Sequence, residues 1–173
     1  MSRLRLALAG ALFAAPLAVS APAAAHVTLE VQQAPPNSTY RATFRVAHGC
    51  QGAATNRVTI RLPEGVTQAR PMPKPGWTLR TVPRTGAAQP TDHGAAVPVA
   101  EVIWEGGDLP DGFYDEFVIQ IRLPNTPGEM LYIPVVQDCP GGAQAAWTDI
   151  PEPGRRITEY RNLAPVVRLL PRN

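Results

Sequence analysis

The chain has 173 residues, with 16 Lys and Arg against 14 Asp and Glu. Two of the arginines lie in a leader-like segment, so the remainder carries 14 charges of each sign. This balance argues against a nucleic acid or an anionic membrane as a partner held by bulk charge. After the leader, no apolar run approaches the roughly 20 residues of a transmembrane helix, so we expect neither a membrane span nor a C-terminal anchor.

The first 25 residues predict a secretory signal peptide. Two arginines precede an apolar run, and Ala23 and Ala25 form the small-x-small pattern after which signal peptidase cuts. Cleavage after Ala25 makes His26 the first residue of a periplasmic or secreted domain, residues 26–173. Cleavage near Ala23 instead would leave His26 inside the chain.

The 20 prolines are spread through the sequence and forbid long helices. Apolar and polar residues alternate along short segments bounded by Pro, Gly, Asn or Asp, which is typical of strands. The eight predicted strands cover residues 27–31, 40–46, 56–62, 77–82, 101–104, 114–123, 130–139 and 144–150. We expect an all-β fold, an immunoglobulin-like antiparallel β-sandwich, in which residues 105–112 form a turn and the chain from 151 onward is an extended tail.

The two cysteines, Cys50 and Cys139, follow one predicted strand and end another. An exported protein sits in an oxidising compartment, where an even cysteine count indicates a disulfide. A thiolate metal site is the alternative, but neither cysteine has a Cys-x-x-Cys or Cys-x-His pattern beside it. We therefore predict a Cys50–Cys139 disulfide.

His26 offers a metal site that needs little help from the fold. At a free N-terminus, its α-amine and Nδ1 can chelate one ion, and His48, two residues before Cys50, could add a third nitrogen. Cu(II) prefers such nitrogen donors and binds most tightly among the divalent ions. The simpler interpretations are that His26 is first by chance and that His48 is a surface loop residue. His93 lies in a Pro- and Gly-rich loop and is expected to be solvated.

Trp147 follows Cys139, so a disulfide would bring it towards His48, where an indole could cover a site and exclude water. It could equally be a core residue, as expected for Trp77 and Trp104. Nothing in the sequence matches a nucleophile elbow, a zinc-protease helix or a phosphate-binding loop, and we expect no enzyme activity.

Several motifs, in this order along the chain, together resemble the YcnI-like (DUF1775) proteins. They are His26-Val27-Thr28-Leu29, Val46-Ala47-His48-Gly49-Cys50, Pro63-Glu64-Gly65-Val66, Lys74-Pro75-Gly76-Trp77, Leu109-Pro110-Asp111, Tyr114-Asp115-Glu116-Phe117, Pro134-Val135-Val136-Gln137-Asp138-Cys139 and Trp147-Thr148-Asp149-Ile150-Pro151. The resemblance implies an exported Cu(II)-binding protein with an immunoglobulin- or fibronectin-III-like β-sandwich, linked to other periplasmic copper proteins.

The resemblance also implies a single-histidine brace, in which the first residue is completed by a carboxylate and has a tryptophan nearby. By position, His26 matches the brace and Trp147 the tryptophan. The carboxylate departs from the pattern, because this chain has His48 near the end of the second strand. We expect His48 to replace it or, failing that, Asp149 or Glu30 to complete the site.

The leading prediction is a copper carrier, buffer or metallochaperone. Two other functions stay open at this point. A copper-dependent oxidase or monooxygenase would also use an N-terminal histidine, although the chain shows no aromatic plane for a substrate. A structural or adhesion module would make His26 incidental.

Overall fold

The computed structural model describes residues 26–86 and 97–172, so the predicted signal peptide and His93 lie outside the described residues. The described ranges contain twelve strands and two short 3-10 turns, and no α-helix. The strands are β1 (Thr28–Leu29), β2 (Gln33–Ala34), β3 (Thr39–Val46), β4 (Thr55–Arg61), β5 (Thr67–Pro71), β6 (Thr78–Pro83), β7 (Val99–Leu109), β8 (Asp115–Arg122), β9 (Met130–Tyr132), β10 (Val135–Asp138), β11 (Gln144–Trp147) and β12 (Val166–Leu169).

Two antiparallel sheets form the body of the domain. One has the strand order β1-β3-β8-β5 and the other the order β11-β10-β4-β7-β6. A third, smaller sheet has the order β2-β12-β9, and its β2–β12 pair is parallel. The predicted all-β sandwich is therefore confirmed.

Alternation along the strands places the core as the sequence predicts. The apolar residues that alternate with polar ones in β3, in β4 and directly after β4 are at most 5% exposed, and they are Tyr40, Ala42, Phe44, Val46, Val58, Ile60 and Leu62. The two large sheets meet where Trp104 of β7 packs edge-to-face on Phe117 of β8, with ring centroids 5.4 Å apart. Trp77 adds a second edge contact to Phe117 at 5.0 Å. Aromatic edges of this kind add to the stabilisation from buried area.

The structure differs from the prediction around residues 105–112, where β7 runs on to Leu109 instead of turning at the glycines. A Cβ on Gly107 would overlap the indole of Trp77, so this glycine allows a close approach to the strand. The predicted strand 130–139 is also wrong in extent, because it divides into β9 and β10 in different sheets. Pro134 lies at the break and has no N–H to continue a ladder.

The tail after residue 151 also contains more structure than predicted. Val167 and Leu169 of β12 are fully buried, while Arg168 between them is exposed. This strand pairs with both β2 and β9. The sequence predicts β2 as part of a turn and β9 as the beginning of the strand 130–139. The segment just before β12 includes Arg161, whose backbone oxygen lies beside His26.

The predicted disulfide is present and joins Cys50 to Cys139, with their Cα atoms 6.0 Å apart. Cys50 lies where the chain passes from β3 in one large sheet to β4 in the other, and Cys139 directly follows β10. The bond therefore fixes the crossing between the sheets beside the loop that contains His48.

Replacing both cysteines, as Cys50→Ala/Cys139→Ala, should lower the free energy of unfolding by about 4–5 kcal/mol. The physical reason is that the bond closes a loop across 89 positions, which restricts the unfolded chain. Urea unfolding followed by circular dichroism measures the change. Wild-type protein in excess reductant is the control and should converge on the variant. Equal stability of the oxidised wild type and the variant would contradict this role.

Candidate metal centre

His26 lies two residues before β1 and is partly exposed. Its Nε2 is 2.9 Å from the backbone carbonyl oxygen of Arg161. A carbonyl oxygen can only accept a hydrogen bond, so Nε2 carries the proton and donates it. The neutral ring then has its lone pair on Nδ1, the nitrogen nearer to the residue's own backbone nitrogen.

Trp147, the last residue of β11, lies beside this ring. The ring centroids of His26 and Trp147 are 4.8 Å apart, with an angle of 45° between the planes. Trp147 is only 9% exposed, so a nearly buried indole packs against the partly exposed imidazole. The structure thus brings together the two residues that the resemblance paired.

The indole N–H of Trp147 has a buried partner. It donates to Oε1 of Gln137 in the neighbouring strand β10 at 2.8 Å, and Nε2 of Gln137 donates to the backbone oxygen of His48 at 2.7 Å. The backbone of His48 therefore connects to the His26–Trp147 pair through two hydrogen bonds.

The side chain of His48 has a different neighbour. Its Nδ1 is 4.0 Å from Oδ1 of Asp111, and both side chains are substantially exposed. The same carboxylate oxygen accepts the backbone N–H of Gly49 at 3.0 Å. Asp111 therefore orders the loop after β3, a contact between residues 62 positions apart that no sequence pattern indicates.

Asp149 holds the segment that carries the Arg161 carbonyl. Its Oδ2 accepts the backbone N–H of Asn162 at 3.0 Å, and its backbone bonds to Asn162 and Ala164 on either side of Leu163. Because this segment supplies the acceptor for His26, Asp149 positions the imidazole indirectly.

Glu30, the other acid considered as a ligand, forms ion pairs with two arginines of β3. Its carboxylate oxygens lie 2.9 Å from Arg45 and 3.6 Å from Arg41. In residues 26–86 and 97–172, no three His, Cys, Asp or Glu side chains converge in a group that could hold a metal ion. A site that uses the α-amine of His26 needs fewer side chains, since the backbone supplies one donor.

The family model described as a domain of unknown function, DUF1775, matches residues 26–169. The chain belongs to the DUF1775 family. The matched region begins at His26, the residue at the centre of the site.

An uncharacterised protein from Nocardia farcinica, whose crystal structure has an immunoglobulin-like fold, is 30% identical to this DUF1775 chain. The TM-score is 0.63, and the match covers 84% of this chain and 98% of that one. This likeness confirms the immunoglobulin-like fold. Comparison with curated proteins finds no match. Within the part of the chain that the structure describes, no helix is long and apolar enough to cross a membrane.

Sequence reasoning missed Gln137 and Arg161. Gln137 alternates with Val135 and Cys139 on the buried side of β10, so a polar residue at an inward position was the available signal. Arg161 takes part through its backbone oxygen, 135 positions from His26, and residue type gives no indication of that contact.

The strand that follows His26 is fastened by Tyr40. The Tyr40 hydroxyl donates to the backbone oxygen of Val31, just beyond β1. Burial, with a smaller contribution from the Glu30 carboxylate, raises the pKa of Tyr40 from 10.0 to about 12. The folded state therefore favours the neutral phenol more strongly than the unfolded state does.

This shift predicts that stability falls as the pH rises. Tyr40 contributes its full stabilisation below pH 10, and the contribution is lost between pH 10 and about 12, because the unfolded chain releases the proton first. Urea unfolding at pH 8 and in this window should show the loss in wild type. Tyr40→Phe is the matched control and should lack this part of the pH dependence. A constant stability difference between the two proteins across the window would contradict it.

Proposed function

We propose that this DUF1775 protein is exported, is cut after Ala25 and binds Cu(II) as a cargo through His26. It would act in the periplasm as a carrier, buffer or metallochaperone, with other periplasmic copper proteins as its partners. The observation that carries the proposal is the hydrogen bond from Nε2 of His26 to the Arg161 carbonyl. That bond assigns the ring's lone pair to Nδ1.

The assignment matters because of chelate geometry. An α-amine and Nδ1 of the same histidine close a six-membered ring around a metal ion, whereas Nε2 points away from the amine. Metal-binding histidines usually donate their second ring N–H to a carbonyl or carboxylate, which fixes the tautomer and strengthens the donor. The arrangement of His26 and Arg161 has this form. The residues present therefore fit a nitrogen-chelated copper ion.

The pH range also suits the proposed chelate. An unperturbed α-amine has a pKa near 7.7–8.0, so a metal can displace its proton at neutral pH. Cu(II) heads the divalent series for nitrogen donors and accepts tetragonal sites with few protein ligands. Two nitrogens from one residue, with solvent or one further side chain, would satisfy it.

For that further ligand we propose His48, as the sequence predicts. The two acidic alternatives are held in closer contacts, Asp149 with the Asn162 N–H and Glu30 with arginines. The imidazole of His48 has a looser neighbour, since its Nδ1 lies 4.0 Å from the Asp111 carboxylate. The backbone oxygen of His48 is joined through Gln137 to the Trp147 indole, and the same indole contacts the His26 ring. A changed copper EPR spectrum in His48→Ala would support ligation, and an unchanged spectrum would assign the third position elsewhere.

The test is a titration with Cu(II) of protein prepared to begin at His26. A second protein carries a four-residue Gly/Ser extension before His26, which keeps the imidazole but moves the amine too far to chelate with it. We expect one-to-one binding by the first and roughly 100-fold or greater weakening in the second, since one donor of the chelate is lost. His26→Ala, which keeps the amine and loses the ring, should be weakened similarly.

Equal affinity of the native and extended proteins would contradict the proposal and direct attention to other residues. Circular dichroism of both proteins is the control for folding. Because the extension lies outside the strands, it should leave the fold unchanged.

A further inference from the structure

The side-chain amide of Gln137 is a buried polar group near the site that makes three hydrogen bonds. Gln137 is 1% exposed and lies in β10, the second strand of the five-stranded sheet, with β11 on one side and β4 on the other. Its Oε1 accepts from Trp147 at 2.8 Å, while its Nε2 donates to the His48 carbonyl at 2.7 Å and to Oγ1 of Thr55 at 3.0 Å. Three separate segments of the chain therefore meet at one side chain.

The chemistry of the partners permits only one orientation of this amide. An indole N–H can only donate and a backbone carbonyl can only accept. Rotating the amide by 180° would set two donors against each other at Trp147 and two oxygens against each other at His48. The amide therefore holds the indole in a fixed place relative to the loop after β3.

A core position does not need such a group for packing. Val135, two residues earlier on the same strand, is fully buried and apolar. A buried amide costs free energy for each hydrogen bond that it loses, and here the bonds with Trp147 and with the His48 carbonyl decide its orientation. This sensitivity makes Gln137 suited to fixing one arrangement of the indole.

We propose that Gln137 is a positioning residue for the metal site, acting through Trp147 on the His26 ring. The indole, fixed by Oε1 of Gln137, limits the rotation of the imidazole, whose ring centroid lies 4.8 Å from that of the indole. Nε2 then keeps its hydrogen bond to the Arg161 carbonyl, and Nδ1 stays on the side of the ring nearer to the α-amine. The role in copper binding rests on the proposed function. The positioning of the two rings does not depend on any metal.

The test compares Gln137→Met with Thr55→Val. Methionine has a similar size but makes none of the three hydrogen bonds. Thr55→Val removes one partner of the same amide but keeps the hydrogen bonds that Gln137 makes with Trp147 and with the His48 carbonyl, so it is matched for the loss of a buried hydrogen bond. Urea unfolding measures the stability of each variant, which separates general weakening from an effect on the site.

The first readout is NMR on metal-free protein that begins at His26. We expect Gln137→Met to shift the assigned indole N–H signal of Trp147, speed its hydrogen exchange at least tenfold, and weaken the cross-relaxation between the His26 and Trp147 rings. Thr55→Val should leave all three as in wild type. An unaltered indole signal and ring contact in Gln137→Met would overturn the proposal.

The second readout is Cu(II) affinity. Loss of a group that hydrogen-bonds a metal-binding histidine typically weakens binding 10- to 100-fold. Gln137 acts through Trp147, so we expect the lower end of this range, about tenfold, for Gln137→Met and less than threefold for Thr55→Val. Equal weakening in both variants would indicate a structural role only and overturn the proposal. If wild type binds no copper, the proposed function fails, while the metal-free NMR still decides whether Gln137 positions the rings.

Should Gln137→Met fail to fold, Trp147→Phe provides the same comparison. It keeps an aromatic ring against His26 but removes the N–H group that donates a hydrogen bond to Oε1 of Gln137. We expect weaker ring contacts and a loss of copper affinity of about tenfold. Ring contacts and affinity equal to those of wild type would overturn the proposal.

Discussion

A buried indole N–H needs an acceptor, and in this chain the acceptor is the amide of Gln137. The amide in turn needs acceptors for its own two hydrogens, and it finds them in the loop after β3 and at the start of β4. One chain of hydrogen bonds therefore fixes Trp147 relative to the crossing between the two large sheets. The disulfide reinforces that crossing covalently. The imidazole of His26 lies against the indole that this arrangement holds.

The other constraint on His26 comes from the small third sheet and the segment before it. Asp149 fastens residues 162–164, and the carbonyl of Arg161 then selects the proton-bearing nitrogen of the ring. A backbone oxygen always favours the same tautomer of the ring, because it does not titrate and can only accept a hydrogen bond. The proposed copper binding depends on this tautomer and on the α-amine of His26, which cleavage after Ala25 would expose. A nearly neutral chain needs no bulk electrostatic attraction to bind a single ion in this way.

Much of the fold could be predicted from local pattern and composition. The inward faces of β3 and β4, the all-β class and the pairing of Cys50 with Cys139 all follow from local pattern and composition. The errors occur where a distant residue decides the local structure. Gly107 looks like a turn residue, yet it lies in β7 because Trp77 packs against it.

The site divides in the same way between local and distant information. His26 follows from the predicted cleavage site, and its pairing with Trp147 follows from a set of motifs that resembles a family. Gln137 and Arg161 act through contacts that the sequence does not record, one through a buried amide and the other through a backbone oxygen. Residue type alone identifies donors and acceptors. Only the folded chain shows which donor meets which acceptor.

The most direct measurement is a crystal structure of Cu(II)-loaded protein beginning at His26, with anomalous diffraction at the copper edge. The account predicts one copper peak bonded to the α-amine and to Nδ1 of His26, while Nε2 keeps its hydrogen bond to Arg161. A peak bonded to Nε2, or one located away from His26 altogether, would contradict it.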